Sequence, residues 1–159
     1  MKDAPSERLD HRARLLWRIT GAVQTLLIVL LSGGVIGGLF FGAGAPLYLW
    51  TIPAALTALA VLTLVVAIPT LRWRRWRYEI RSDEVDLQRG IVWVSRTLVP
   101  LARIQHVDTR TGPLERGLGL ATVVFYTAAG PNQIPELSAP VAGEVRDRIA
   151  ELAREQDEL

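Results

Sequence analysis

The sequence of 159 residues contains no cysteine and a single lysine, Lys2. The absence of cysteine excludes disulfide bridges, a thiolate nucleophile and a cysteine-ligated metal site. A cytoplasmic location of the water-soluble part is compatible with this composition, although many exported proteins also lack cysteine. Histidine occurs only at His11 and His106, which leaves few groups for acid–base or metal chemistry.

Charge is also absent from a long part of the chain. From Ile19 to Leu71 there is no Asp, Glu, Lys or Arg, and this run far exceeds the roughly 20 apolar residues that one bilayer crossing needs. Gly and Pro interrupt it at residues 42–46. We therefore predict a transmembrane helix over residues 19–41, a tight turn over 42–46 and an antiparallel transmembrane helix over 47–71.

The basic residues flank the open ends of this hairpin, whereas the turn is uncharged. Residues 1–18 form a basic N-terminal segment, and the second span is followed at once by Arg72, Arg74, Arg75 and Arg77. The positive-inside rule then predicts a multi-pass protein of the cell membrane with both termini in the cytoplasm. Aromatic residues at the span ends fit an interfacial belt, namely Trp17, Tyr48, Trp50, Trp73 and Trp76.

Three other interpretations of the apolar run are weaker. A cleaved signal peptide has a shorter apolar core, and its basic start does not contain acidic residues such as Asp3 and Glu7. A buried hairpin of a soluble protein would carry a polar face. A transporter or ion path usually contains charge within the membrane, and the run contains none.

Glycines recur at four-residue spacing in the first span, which allows another helix to approach closely. The pattern predicts packing against the second span of the same hairpin, with a homodimer interface as the alternative. The residues concerned are Gly33, Gly34, Gly37, Gly38 and Gly42.

The pattern changes after Trp76, where apolar and polar residues begin to alternate. Short alternating segments between turn residues are typical of antiparallel strands. The predicted strands cover residues 77–81, 85–89, 91–99, 104–109, 120–127 and 133–137. An amphipathic helix follows from Ala139 to about Gln156. Residues 76–156 therefore predict a small α+β domain, a curved antiparallel sheet capped by a C-terminal helix.

Two sequence blocks within this domain are specific. The first is Val99-Pro100-Leu101-Ala102-Arg103-Ile104-Gln105-His106-Val107, and the second runs from Thr111-Gly112-Pro113-Leu114 through Arg116 to Gly119-Leu120-Ala121. With the two preceding spans, they resemble the bacterial pleckstrin-homology-like membrane proteins of the YdbS-like family. The resemblance implies a pleckstrin-homology-like fold, which has seven strands, one more than the pattern locates.

The motif residues also have a structural interpretation, which we favour over a ligand site. Gly112-Pro113 predicts a turn, Leu114 and Leu118 a helical turn, and Gly119 a left-handed helix end. Arg103 and Arg116 are expected to hydrogen-bond carbonyls of neighbouring strands. The remaining motif residues are Pro100, Ile104 and Gln105.

The sequence shows only weak signatures of a catalytic or cofactor-binding site. His106 and Asp108 share a strand face, but the sequence provides no accompanying nucleophile, metal-binding set or phosphate loop. We predict no enzyme activity, no cofactor and no nucleic-acid binding.

We expect a non-catalytic interaction or assembly module at the inner face of the membrane. The resemblance implies another membrane protein with related domains as the partner, and a homo-oligomer is a further possibility. The alternative is a sensor of anionic lipid that uses Arg72, Arg74, Arg75 and Arg77. The turn Ser82-Asp83-Glu84 is acidic, which disfavours inositol-lipid recognition of the kind that the wider fold often uses.

Overall fold

A computed structural model of the chain describes residues 4–43, 46 and 51–157. The chain divides into two compact units. The first combines the residues up to Leu16 with those from Arg72 onward, and the second runs from Trp17 to Leu71.

Two long apolar helical segments are present. Helix α1 covers Ala13–Ala43. Helix α2 (Thr51–Ala60), a π-helical segment (Val61–Ala67) and helix α3 (Ile68–Arg75) follow one another directly. Both contain a stretch long and apolar enough to cross a bilayer. Gly44 and Ala45 of the predicted turn 42–46 lie outside the described residues, as do Tyr48 and Trp50, whereas Gly42 and Ala43 belong to α1.

One residue within the π-helical segment and one just after it account for its geometry. Pro69 lacks an N–H group and its ring disfavours the regular helical position of the carbonyl four residues earlier. Thr63 Oγ1 donates a hydrogen bond of 2.7 Å to the Leu59 carbonyl oxygen, which also perturbs the helical ladder. The helix is widened over Val61–Ala67 and regains α geometry at Ile68.

Gly21, which lies outside the predicted glycine pattern, packs against the backbone of the second segment. A Cβ at Gly21 would lie 2.9 Å from the Leu64 carbonyl carbon and closer still to its oxygen, so only glycine fits without a shift. The glycines of the predicted pattern differ, because no described atom lies within 4 Å of the corresponding Cβ positions at Gly33, Gly34, Gly37, Gly38 and Gly42. Their predicted role as a helix-packing face remains a prediction.

Within the described residues, seven strands form two antiparallel sheets. The first sheet has the order β1-β2-β3-β4 and the second the order β5-β6-β7. Their bounds are β1 Glu7–Arg8, β2 Arg77–Ile80, β3 Glu84–Arg89, β4 Ser95–Pro100, β5 Ile104–Arg110, β6 Leu120–Thr127 and β7 Gly130–Ser138. Short connections join β2 to β3, β3 to β4, β4 to β5 and β6 to β7, as the alternation predicted.

Two helices complete this unit. Helix α4 (Pro113–Leu118) joins the second sheet's β5 and β6, and helix α5 (Ala139–Asp157) packs against the second sheet. The α5 residues Ala142, Val145 and Ile149 are buried at helical spacing. They meet a core whose largest fully buried side chains include Phe125, Leu87, Leu101, Leu120, Ile134 and Leu137. The predicted α+β fold with antiparallel strands and a C-terminal helix is confirmed.

The seventh strand comes from the N-terminal segment, which the sequence analysis placed apart from the domain. Strand β1 pairs with β2, Glu7 opposite Tyr78 and Arg8 opposite Arg77. Leu9 is buried beside it. A two-residue strand has too short an alternation to be recognised from sequence, and the residues it pairs with lie beyond the apolar run.

Two other expectations need correction. The strand predicted over residues 91–99 begins only at Ser95, because the register pairs Arg89 with Ser95 and leaves residues 90–94 as the connecting turn. Trp76, expected in an interfacial belt, has only 4% of its surface exposed and belongs to the core.

Candidate interaction surfaces

An open strand edge lies at β5. The strand pairs with β6 on one side, and no strand pairs with its other edge in the part of the chain that the structure describes. Such an edge presents backbone N–H and C=O groups that can bind an added strand. Gln105 and His106, which belong to the first motif block, are exposed on β5.

A groove accompanies this edge, and we call it the β5–α5 groove. Its volume is about 590 Å³, and it is lined by residues at the start of β5 and the C-terminal half of α5: Ala102, Ile104, Gln105, His106, Val107, Ala150, Ala153 and Arg154. The small side chains of Ala150 and Ala153 leave space beside the strand, while Arg154 gives the groove a positive end. An extended peptide segment fits this combination of edge and groove.

A second groove of about 710 Å³ adjoins the first at Ala102 and Gln105. It lies between β4 and the turn that joins β6 to β7, and Pro100 and Arg103 contribute to its lining. The structure therefore brings the first motif block to the rim of two neighbouring grooves. The exposed Arg103 makes no hydrogen bond to a strand carbonyl within the described residues, contrary to expectation.

The second motif block has a structural role. The backbone N–H of Gly112 donates to Glu115 Oε2 at 2.5 Å, and the Thr122 hydroxyl donates to Glu115 Oε1 at 2.7 Å. Gly119 ends α4 in the predicted left-handed conformation, with φ 68°. These contacts join α4 to β6 and make the block part of the fold.

Two motif side chains in this block remain on the surface. Leu114 and Arg116 are exposed. Among the described residues, Arg116, like Arg103, has no hydrogen bond to a strand carbonyl.

His106 and Asp108 form an ion-pair contact, as their shared strand face suggested. The distance from His106 Nε2 to Asp108 Oδ1 is 3.0 Å, and the ring of Tyr126 lies beside His106 with centroids 6.1 Å apart. Arg110 donates a hydrogen bond to the Tyr126 hydroxyl. Within residues 4–43, 46 and 51–157, no group of three or more His, Cys, Asp or Glu side chains is arranged to hold a metal ion.

A charge network covers the first sheet. Asp86 is fully buried and accepts hydrogen bonds from Arg96, whose Nε lies 3.0 Å from Asp86 Oδ1. Arg81 lies 3.6 Å from the same carboxylate and 2.7 Å from Glu79. The hydrogen bond to Asp86 raises the pKa of the Arg96 guanidinium. A buried carboxylate requires hydrogen-bonding partners, and Arg96 provides them for Asp86 while Arg81 lies nearby.

The arginines that follow the second span occupy two elements. Arg72, Arg74 and Arg75 lie in the last turn of α3, and Arg77 begins β2. Arg75 Nη1 donates a hydrogen bond of 2.5 Å to the Ile91 carbonyl oxygen, at the β3–β4 turn. The side chain of Arg74 is exposed. The group thus combines a structural contact with positive charge beside the apolar segment.

The N-terminal segment contacts the same region. Trp73 Nε1 donates a hydrogen bond to the Asp10 carbonyl oxygen at 2.9 Å, and the Arg14 guanidinium lies 4.5 Å from the centre of the Trp73 ring. Arg12 Nη1 donates to the Leu118 carbonyl oxygen at 3.3 Å. The basic residues before the first span therefore also stabilise the folded unit, a role that sequence analysis did not identify.

Comparison with known proteins gives a family match and a similar protein along the whole chain. The chain matches the family described as "Bacterial PH domain" over residues 25–153. It is 34% identical over 160 residues to the UPF0699 transmembrane protein YdbS of Bacillus subtilis strain 168, and the match covers 99% of each chain.

A second relative shares only part of its length. The UPF0699 transmembrane protein YdbT of the same organism is 28% identical over 95 residues, which are 59% of this chain and 19% of that protein. No solved structure matched the chain.

Proposed function

Since this chain belongs to the bacterial PH domain family of YdbS-like transmembrane proteins, we propose that it is a membrane-anchored, non-catalytic module that binds a second membrane protein. The observation that carries the proposal is the open β5 edge beside the β5–α5 groove. Main-chain hydrogen bonds at an open edge provide affinity, and pockets beside it provide sequence selectivity. We further propose that both termini and the folded unit lie in the cytoplasm.

The partner we propose is a membrane protein that carries a related domain. Support comes from YdbT, in which a segment similar to this chain forms a minor part of a longer transmembrane protein. Two related proteins in one membrane are confined to a thin layer, which raises their effective concentration and favours association.

The test blocks the groove without altering the fold. Ala153→Trp places a large side chain in the β5–α5 groove, whereas Glu151→Trp changes an exposed position on the same helix and serves as the matched control. The full-length protein is purified from native membranes in mild detergent and analysed by mass spectrometry. A photo-crosslinking residue at Gln105 identifies what contacts the β5 edge.

We expect a stoichiometric membrane protein with a related domain that crosslinks at Gln105, and a loss of about tenfold in its recovery with Ala153→Trp, equivalent to 1.4 kcal/mol. The Glu151→Trp control should retain it. Equal recovery with both variants, or no crosslink at Gln105, contradicts the proposed surface.

The alternative is a sensor of anionic lipid, for which the exposed Arg74 and its neighbours in α3 provide the charge. Each basic residue near an anionic surface contributes about 1 kcal/mol. Replacement of Arg72, Arg74 and Arg77 by Ala in the full-length protein, followed by analysis of the co-purified lipids, tests this function. A salt-dependent enrichment of anionic lipid that the substitutions abolish supports it, and an unchanged lipid composition contradicts it.

A further inference from the structure

The β3–β4 turn, residues 90–94, presents large apolar side chains to the outside. The exposed fraction is 79% for Val92, 89% for Trp93 and 49% for Val94. Tryptophan is usually well covered in folded proteins, and a cluster of exposed apolar residues marks a contact surface. We call residues 91–94 the apolar tip.

The tip has a defined conformation. Gly90 has φ 128°, and a Cβ at this position would lie 2.9 Å from the Trp93 carbonyl carbon, so the turn requires glycine. The Ser95 hydroxyl donates a hydrogen bond of 3.4 Å to the Arg89 carbonyl oxygen at the base of the turn. The backbone thus holds Val92 and Trp93 outward from the end of a paired hairpin.

Hydrogen bonds connect the β3–β4 hairpin, which carries the tip, to Arg75 at the end of α3. Arg75 binds the Ile91 carbonyl oxygen through Nη1, and Gln88 Nε2 donates to the Arg75 carbonyl oxygen at 3.3 Å. Arg75 lies in α3, four residues after Leu71, the last residue of the uncharged run. At about 1.5 Å of rise per residue, this places Arg75 roughly 6 Å along the helix from the apolar span. The hydrogen bonds therefore hold the tip against Arg75, four residues after the end of the uncharged run.

The charges around the tip suit lipid head groups. Arg74, Arg75 and Arg77 precede it in the chain, and Arg89 stands directly before Gly90. Arginine binds phosphate groups, and tryptophan favours the head-group layer, where the ring is covered and its N–H group remains hydrated. Because the tip exposes Trp93 and is contacted by Arg75, a lipid surface explains it better than a protein partner.

We propose that the apolar tip inserts Val92 and Trp93 into the head-group layer of the membrane that the helices span, with the surrounding arginines on anionic lipid phosphates. The β3–β4 hairpin is then a third attachment to the membrane, besides the two apolar helical segments. It fixes the orientation of the folded unit at the membrane surface. This inference does not depend on the proposed β5–α5 interaction surface.

Because the protein has no native cysteine, a single introduced cysteine can be labelled at one known position. Trp93→Cys and Ser82→Cys are labelled with an environment-sensitive fluorophore in the full-length protein. Both positions are exposed and lie at turns, Ser82 between β2 and β3 and Trp93 between β3 and β4. The proteins are reconstituted in vesicles of phosphatidylglycerol and phosphatidylcholine, with and without lipid that carries a quencher near the head group.

We expect severalfold stronger quenching by the lipid at position 93 than at position 82, with a blue-shifted emission at position 93. Equal quenching at the two positions overturns the proposal. A label at position 93 that is protected from a water-soluble quencher, yet not quenched by the lipid, also overturns it and indicates a protein contact. Thermal unfolding of both variants verifies that the fold is retained.

Discussion

Tyr78 shows how a single buried side chain can make stability depend on pH. Only 4% of its surface is exposed, and Glu7 lies opposite it across the β1–β2 pairing. Burial, together with the Glu7 charge, raises the pKa of Tyr78 to about 12 from its usual 10. The folded unit therefore favours the neutral phenol.

The sign of the pH effect follows. Below pH 10 the Tyr78 phenol is neutral in both the folded and the unfolded chain. In this range the free energy of unfolding therefore does not change with pH on account of Tyr78. Between pH 10 and pH 12 the unfolded chain loses the proton first, so stability falls as pH rises, by up to about 3 kcal/mol. We predict that Tyr78→Phe removes this part of the alkaline loss.

Thermal unfolding in detergent across this pH range measures the effect. The control is Tyr126→Phe, which leaves Tyr78 in place and should retain the full alkaline loss. An identical pH profile for wild type and Tyr78→Phe would contradict the assignment.

The motif arginines show the limit of sequence reasoning at the residue scale. Arg103 and Arg116 were expected to bind strand carbonyls, yet both are exposed. Arg96 and Arg81 instead contact the buried carboxylate of Asp86, and these residues did not stand out in the sequence. Which charged side chains are buried depends on the strand register and on the layers that cover each face, and these are tertiary properties.

At the scale of secondary-structure elements, Gly21 and Leu64 bring the backbones of the two apolar segments into close contact. The two elements meet where the second helix widens into its π-helical segment. Backbone contact of this kind allows close packing in lipid, where apolar burial alone provides little association energy.

We predict that Gly21→Leu destabilises the hairpin by about 1–3 kcal/mol, because a side chain there must displace the second helix. Gly34→Leu is the matched control, since no described atom lies within 4 Å of a Cβ at that position. Thermal stability of the full-length protein in detergent micelles measures both variants. An equal loss in the two variants would show that Gly21 has no special role.

The strands illustrate what alternation can reveal. Six strands were located from their period-two pattern, since each pairs over at least four residues and buries one face. Strand β1 was missed because it has two residues and its partner lies beyond the apolar run. The error over residues 91–94 had another cause, because Ile91 to Val94 is rich in β-branched and aromatic residues but follows Gly90, whose positive φ turns the chain.

At the scale of the whole molecule, the distribution of arginine predicts the topology. Both clusters flank the open end of the hairpin, and the turn is uncharged. We predict that Gly44→Cys is labelled by a membrane-impermeant maleimide in intact cells, whereas Ser6→Cys and Ser82→Cys are labelled only after lysis.

The chain's lack of cysteine means that each variant reports a single position. Replacement of Arg72, Arg74, Arg75 and Arg77 by Ala should weaken the bias and produce mixed labelling. Labelling of Ser82→Cys in intact cells would reverse the topology and place the β5 edge and the apolar tip outside the cytoplasm.

The apolar run, the water-soluble part that follows it, most strands, the C-terminal helix and the family could be predicted from the sequence. These features depend on local composition and periodicity, which a single chain displays directly. The tertiary structure was needed to show that the N-terminal segment completes the first sheet, that Asp86 is buried, that β5 has an open edge beside α5 and that Arg75 binds the Ile91 carbonyl oxygen of the apolar tip. Each of these involves residues distant in sequence, whose meeting depends on how the elements pack.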